Sequence, residues 1–257
     1  MGSSSTQISF CTSCCNRLWQ LRQTLAQNLE QIPQPHNIAL VDFGSTDGLS
    51  EWVWGNFRRQ IDNGHLHFFE VENKVRWSSP VAKNLAHRIA PGDYLFSLDA
   101  DNWVTENDLS EISKAASQKI ASHQWTETHG DGTYGRIGLS RELFYQLGGY
   151  DEGLLPMSQQ DVDLLKRIIK LTGAVAKLKP PEKRPIQNEL AHKIQSVGKI
   201  AASPSDFFKH LNQINAVISR LKEEYEGPIR VGGFATFKGK LNGQSVIIDG
   251  LNHIHRL

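Results

Sequence analysis

Tyr94-Leu95-Phe96-Ser97-Leu98-Asp99-Ala100-Asp101 is an apolar run that stops on two carboxylates two positions apart. Its length, and the turn Pro91-Gly92 ahead of it, predict a buried strand. The strand end would deliver Asp99 and Asp101 to the open edge of a sheet, where both can reach one hard divalent cation, directly or through water. Alone, such a pair serves equally well to start a turn.

The same grammar extends upstream. Ile8-Ser9-Phe10-Cys11 reads as a strand, and a helix over 16–31 follows with Leu18, Leu21, Leu25 and Leu29 at helical spacing. Positions 37–42 form an apolar run ending at Asp42, then the turn Gly44-Ser45-Thr46-Asp47-Gly48 and a helix over 49–61. A strand over 65–71 and a helix over 81–89, with Pro80 suited to its first turn, complete the alternation. Strand and helix alternating at this spacing predict an α/β fold with a doubly wound, mostly parallel sheet. Ligands of such sheets bind beyond the carboxyl ends of the strands, where Asp42, Asp99 and Asp101 fall.

Downstream the pattern predicts a helix over 107–122, a strand over 137–140, a helix over 141–147 stopped by Gly148-Gly149, and a helix over 161–171. Pro180, Pro181 and Pro185 mark a linker-like stretch. Helices over 186–197 and 204–225 follow, then a hairpin over 234–248 turning at Leu241-Asn242-Gly243. Residues 1–5 read as a remnant of an expression tag, 6–180 as the catalytic domain, and 181–257 as a helical and hairpin extension of the same globule on the acceptor side.

Composition narrows the function. The chain has 257 residues, 39% hydrophobic and 21% charged, enough for one substantial core. A net charge of +1 argues against a nucleic-acid partner. No apolar run approaches the roughly 18 residues of a membrane span, and the N-terminus lacks the basic and apolar regions of a secretory signal. The expectation is a cytoplasmic protein, with peripheral membrane association compatible. Cys11, Cys14 and Cys15 have no second Cys/His pair at finger-like spacing, so they read as buried or loop thiols in a reducing compartment.

Five segments, in order, resemble the family 2 glycosyltransferases with the GT-A (nucleotide-diphospho-sugar transferase) fold. They are Ser13-Cys14-Cys15-Asn16-Arg17, Val41 through Gly48, Pro80-Val81-Ala82-Lys83-Asn84, Asp99-Ala100-Asp101, and Gly148-Gly149-Tyr150-Asp151-Glu152 leading to Gln159-Gln160-Asp161-Val162-Asp163. The resemblance spans roughly residues 8 to 171. It implies a metal-dependent, inverting transfer of a hexosyl or N-acetylhexosaminyl group from a nucleotide-diphosphate sugar, UDP or GDP foremost, to a saccharide or other hydroxyl acceptor. Glycan or polysaccharide synthesis is the implied setting, with Mn2+ or Mg2+ as cofactor.

Roles follow residue by residue. Ser13, Asn16, Arg17, Asp42, Phe43, Lys83, Asp99 and Ala100 would form the nucleotide site. Phe43 stands where the family usually has a second acid, so it would stack on the base or else belong to the core. Lys83 would meet the donor phosphates or remain a solvated helix charge. Asp99 and Asp101 would hold the metal, with His192 as a third ligand and His253 and His255 as its competitors. Asp161 would be the general base, although Gln160 replaces the acid that usually precedes it. Trp103, Gln160 and Asp163 would serve the acceptor or sugar; His129 and the aromatic side chains of Trp77 and Trp125 lie in neighbouring segments. Two other classes fit parts of the pattern: a non-catalytic nucleotide-sugar binding module, and a phosphohydrolase using Asp99 as nucleophile.

Overall fold

The computed structural model describes residues 6–72, 76–195, 197 and 203–257; the tag-like residues 1–5 lie outside the described residues. In chain order the elements are β1 (Ile8–Cys14), α1 (Leu18–Gln31), β2 (Asn37–Asp42), α2 (Leu49–Asp62), β3 (Leu66–Val71), α3 (Ser79–Ile89), β4 (Tyr94–Ser97) and α4 (Glu106–Ser117). They continue with β5 (Ser122–His123), β6 (Ile137–Ser140), α5 (Arg141–Leu147), α6 (Gln160–Thr172), β7 (Ala176–Lys177), α7 (Leu190–Gln195), α8 (Pro204–Glu226), β8 (Phe237–Leu241), β9 (Gln244–Ile248) and β10 (Ile254–Arg256).

Among the described residues ten strands join one sheet, in the order β10-β9-β8-β3-β2-β1-β4-β6-β5-β7. The centre, β3-β2-β1-β4, is parallel, and antiparallel strands extend it on both sides. The central strands are rich in apolar residues, and β1, β2 and β4 are buried almost end to end, because both faces are covered. Phe10, Leu40, Phe68 and Phe96 point into one core layer with Leu21 and Leu25 of α1, Val53 of α2 and Ile112 of α4. Their alternates Cys11, Val41, Phe69 and Leu95 point into the other, with Leu85 of α3, Phe144 of α5 and Leu164 of α6.

The C-terminal hairpin does not stand apart. β8 pairs antiparallel with β3, placing Leu241 opposite Phe69, so the extension widens the same sheet. Asn242 and Gly243 turn it with positive φ of 50° and 82°, as a two-residue hairpin requires. Two predicted helices need correction. The helix expected over 107–122 ends at Ser117, because residues 122–123 are drawn into the sheet as β5 between β6 and β7. Its start is set by a Thr105–Asp108 capping box. The helix expected over 186–197 is helical only over Leu190–Gln195, and position 196 lies outside the described residues. The short strands β7 and β10 were not anticipated; two or three residues carry no periodicity.

Candidate active site

A pocket opens at the carboxyl ends of β1 and β4. The end of β1 supplies Ser13, the loop after it Cys15 and Arg17, and the loop after β4 supplies Asp99, Ala100 and Asp101. α3 contributes Ser79 and Lys83, and the approach to α6 contributes Met157, Ser158 and Gln160. Beyond residue 180, Asn188, Lys193 and Phe208 close the remaining side.

Lys83 is the hub. Its Nζ lies 2.9 Å from Asp161 Oδ1 and 3.1 Å from Asp99 Oδ1. The side chain is 6% exposed, so burial alone would press its proton off, but the charges of Asp161 and Asp99 outweigh burial and hold it protonated well above the ordinary lysine range. Burial raises the Asp161 carboxyl; Lys83 opposes that rise, but it is shared with Asp99.

The segment Gly148 to Glu152 earns its sequence by gripping α3. Asn84, beside Lys83, donates to the Tyr150 carbonyl at 2.9 Å and to Glu152 at 2.8 Å, and accepts the Tyr150 N–H at 2.8 Å. Gly149, at φ 66°, passes so close that a Cβ there would stand 2.5 Å from Asn84 Oδ1. The chain then reaches α6 through Ser158 and Gln159, both left-handed, whose side chains donate to Asn212 of α8 at 2.7 Å each. These contacts fix Asp161 in the first turn of α6.

Asp101 is 8% exposed and accepts from Asn102 Nδ2 at 2.7 Å and from Asn188 Nδ2. Burial first, and the Asp99 charge second, push its carboxyl up to about 7. Two carboxylates facing one pocket, the more buried one raised by its neighbour, form an all-oxygen donor set that suits Mg2+ or Mn2+. Below them Arg136, 1% exposed, donates to the Trp103 carbonyl at 2.8 Å and to Asn102 Oδ1 at 3.4 Å, which steadies the acidic loop.

The other predicted residues divide. Asn16 (φ 54°) accepts the Thr46 N–H at 2.7 Å and so joins the loop after β1 to that after β2, and Asp42 accepts the Ser45 N–H at 2.8 Å within the latter. Asp42 is 6% exposed, and burial raises its pKa. Phe43 is a core residue, packed edge-to-face against Trp77 and Phe237, and its ring is out of reach of a base. Trp103 borders a different groove with Gln27, Glu30 and Lys183. Asp163 is buried among Arg167 (2.7 Å), Ser219 (2.7 Å) and Arg230 (3.3 Å), bolting α6 to α8 rather than facing an acceptor.

His192 meets the pocket only through its carbonyl, which accepts from Arg17, while its ring lies edge-on to Trp19 at 6.2 Å. His253 and His255 belong to the far edge of the sheet, with Asp249. All three cysteines are buried free thiols, and burial raises the pKa of each, Cys15 to about 11. His129 stacks with Tyr134 and leans on Trp125 in the loop beyond β5.

Sequence reasoning missed several contributors. A Cβ at Gly135 would stand 2.9 Å from both Asp99 Oδ2 and Lys83 Nζ, and 3.5 Å from Asp161 Oδ2, so this glycine makes room for the charged trio. A lone loop glycine gave no signal of that. Asn188, Lys193 and Phe208 come from a stretch without motifs, and only the fold brings them in.

The model of the family described as glycosyl transferase family 2 matches residues 9–158, more than half of the chain. No curated protein matches significantly in sequence. Among solved structures, a mannosyltransferase from Pyrobaculum calidifontis in complex with GDP-Man and Mn2+ is similar at TM-score 0.56 and 18% identity, over 88% of this chain and 73% of that one. S. aureus TarS 1–349 in complex with UDP-GlcNAc gives TM-score 0.57 at 16% identity, over 82% and 66%. GalNAc-T7 with UDP, GalNAc and Mn2+ gives 0.53 at 18%, over 68% of this chain and 42% of that one. At these identities the likeness speaks for the fold alone. With the family matched over most of the parallel core and its acidic loop, this chain belongs to glycosyl transferase family 2, a glycosyltransferase on a GT-A scaffold.

Proposed function

We propose that the protein transfers a hexosyl or N-acetylhexosaminyl group from a nucleotide-diphosphate sugar to a hydroxyl acceptor, with inversion and with a divalent metal. The observation that carries this reading is that Asp99, Asp101 and Lys83 line one pocket at the strand ends, with Asp161 ion-paired to Lys83 beside it. The neighbours caught with GDP-Man, UDP-GlcNAc or UDP support a nucleotide-sugar donor, and two of the three contain Mn2+.

Asp99 and Asp101 would hold Mn2+ or Mg2+, which when bound supplies Lewis-acid charge against a diphosphate. Arg17, Lys83 and Lys193 line the same pocket and add positive charge toward the donor phosphates, with Ser13 and Ala100 beside them. Asp161 accepts the acceptor hydroxyl proton at its carboxylate as the oxygen attacks the anomeric carbon. The bond from that carbon to the diphosphate oxygen breaks, the nucleoside diphosphate leaving with the electron pair. Its raised pKa makes Asp161 a stronger base than a surface Asp. Gln160 donates to Asp161 Oδ2 at 3.0 Å and orients it. Residues 6–180 would form the catalytic unit, with 181–257 completing the pocket wall and the acceptor side. Polysaccharide or glycan synthesis is the setting this chemistry fits.

The test is a thermal-shift screen of UDP, GDP, CDP and dTDP with and without Mn2+. A ligand at about 100 times its dissociation constant adds roughly 2.7 kcal/mol of stability. One diphosphate should raise Tm only with the metal present; no shift from any of the four refutes the donor site.

A further inference from the structure

The turn between β9 and β10 gathers three ligating side chains at the edge of the sheet. Asp249 is held from behind: its Oδ1 accepts the N–H groups of Leu251 at 2.9 Å and His253 at 2.8 Å. The backbone closes the turn through Asp249 N–H to His253 O at 3.0 Å, with Asn252 left-handed at φ 69°. Asn252 is itself pinned, donating to Tyr145 Oη at 2.6 Å and accepting from Arg88 Nε at 3.2 Å. Asp249 Oδ2 remains, and it faces His253 Nδ1 at 3.2 Å and His255 Nε2 at 2.9 Å. One donor atom from each residue lies within 4.8 Å of the other two. His253 immediately precedes β10 and His255 lies within it, and both rings turn to the same Asp249 oxygen.

We propose that Asp249, His253 and His255 form a second metal site, selective for imidazole-seeking ions such as Zn2+, Co2+ or Ni2+ and independent of the acidic pocket. Two ring nitrogens and one carboxylate oxygen suit those ions, whereas Mg2+ and Ca2+ prefer oxygen alone. The backbone N–H groups on Asp249 Oδ1 supply the outer hydrogen bonds that orient a ligating carboxylate. The side chains are 27%, 65% and 55% exposed, so an ion enters without deep desolvation and keeps positions open to water. Five strands separate β10 from β4, whose following loop carries Asp101, which excludes any sharing with it. All three ligands come from seven consecutive residues, so the bound ion would clip the C-terminal edge strand closed.

The alternative is a carboxylate–imidazole hydrogen-bond cluster with no affinity for metal. Titration of the full chain, carrying no added histidines, with Co2+ followed by visible absorption separates the two. Wild type and the double variant Asp99→Asn/Asp101→Asn should both show a histidine-ligated Co2+ band that Zn2+ displaces and excess Mg2+ does not. His253→Gln/His255→Gln, whose melting temperature should stay near wild type because both residues are exposed, should lose at least about tenfold in Co2+ affinity. A smaller loss, or a band that disappears with the Asp99 and Asp101 substitutions instead, overturns the proposal.

Discussion

The ammonium of Lys83 stands 2.9 Å from Asp161 and 3.1 Å from Asp99, so a single buried cation serves both the proposed base and a proposed metal ligand. Lys83→Met removes the charge at nearly constant bulk. Asp161 then keeps its burial and loses its main opposing influence, so its pKa rises further. The base must be ionised to work, so the acid limb of the pH–rate profile should move to higher pH. kcat/KM should fall by about 10²-fold, within the range for losing a charged group at a reacting centre. A profile with an unmoved acid limb would separate Lys83 from Asp161.

Asp161→Asn keeps the shape and much of the hydrogen bonding but abolishes the base. kcat should drop by about 10³-fold, the middle of the range for general-base loss. Stabilisation of the fold by nucleotide diphosphate and Mn2+ should persist, since Asp99 and Asp101 are untouched. Equal activity in the variant would move the base elsewhere.

Gly135→Ala tests the packing of the trio. The added Cβ falls 2.9 Å from Lys83 Nζ and Asp99 Oδ2, closer than real contacts allow, and the charged ends must shift. A displacement of this order costs about 10²-fold where alignment matters. Expected is a fall in kcat with Tm changed by only a few degrees. Activity within threefold of wild type would mean that the trio tolerates expansion.

The parallel core was legible because its strands are buried on both faces and its helices are amphipathic, so periodicity and turn residues marked each one. Asp99 and Asp101 were legible for a related reason, since they follow a strand end where α/β sheets place their ligands, whereas Lys83 and Asp161 were read only from the family resemblance of their segments. Residues whose role depends on long-range packing were not. Nothing local distinguishes Asp163, in its ion cluster, from Asp161, two positions earlier in the same helical turn. Phe43 differs from a stacking ring only in that Trp77 and Phe237 converge on it.

That distinction can be measured. Asp163→Ala leaves Arg167 and Arg230 without their shared carboxylate in a site 1% exposed. Breaking a buried ion cluster from one side costs about 3–5 kcal/mol. The variant should melt markedly lower, yet well below its Tm show KM for donor and acceptor within about threefold of wild type, because the side chain faces α8 and not the pocket. A raised acceptor KM with unchanged stability would return Asp163 to the substrate.

Metal binding should depend on pH through Asp101, whose carboxyl burial and Asp99 push up to about 7. The sign follows from the direction of the shift. The metal-free fold holds this proton more tightly than the unfolded chain, so ionising Asp101 costs stability as pH climbs from the ordinary carboxylate range through about 7. A bound cation reverses that cost, and below pH 7 it must first displace the proton. Mn2+ affinity should therefore fall about tenfold per pH unit below 7 for one displaced proton, and flatten above it. Removing metal with EDTA should lower Tm strongly at pH 8 and hardly at all at pH 5.5. Equal losses of Tm at the two pH values would show that Asp101 does not ligate the ion.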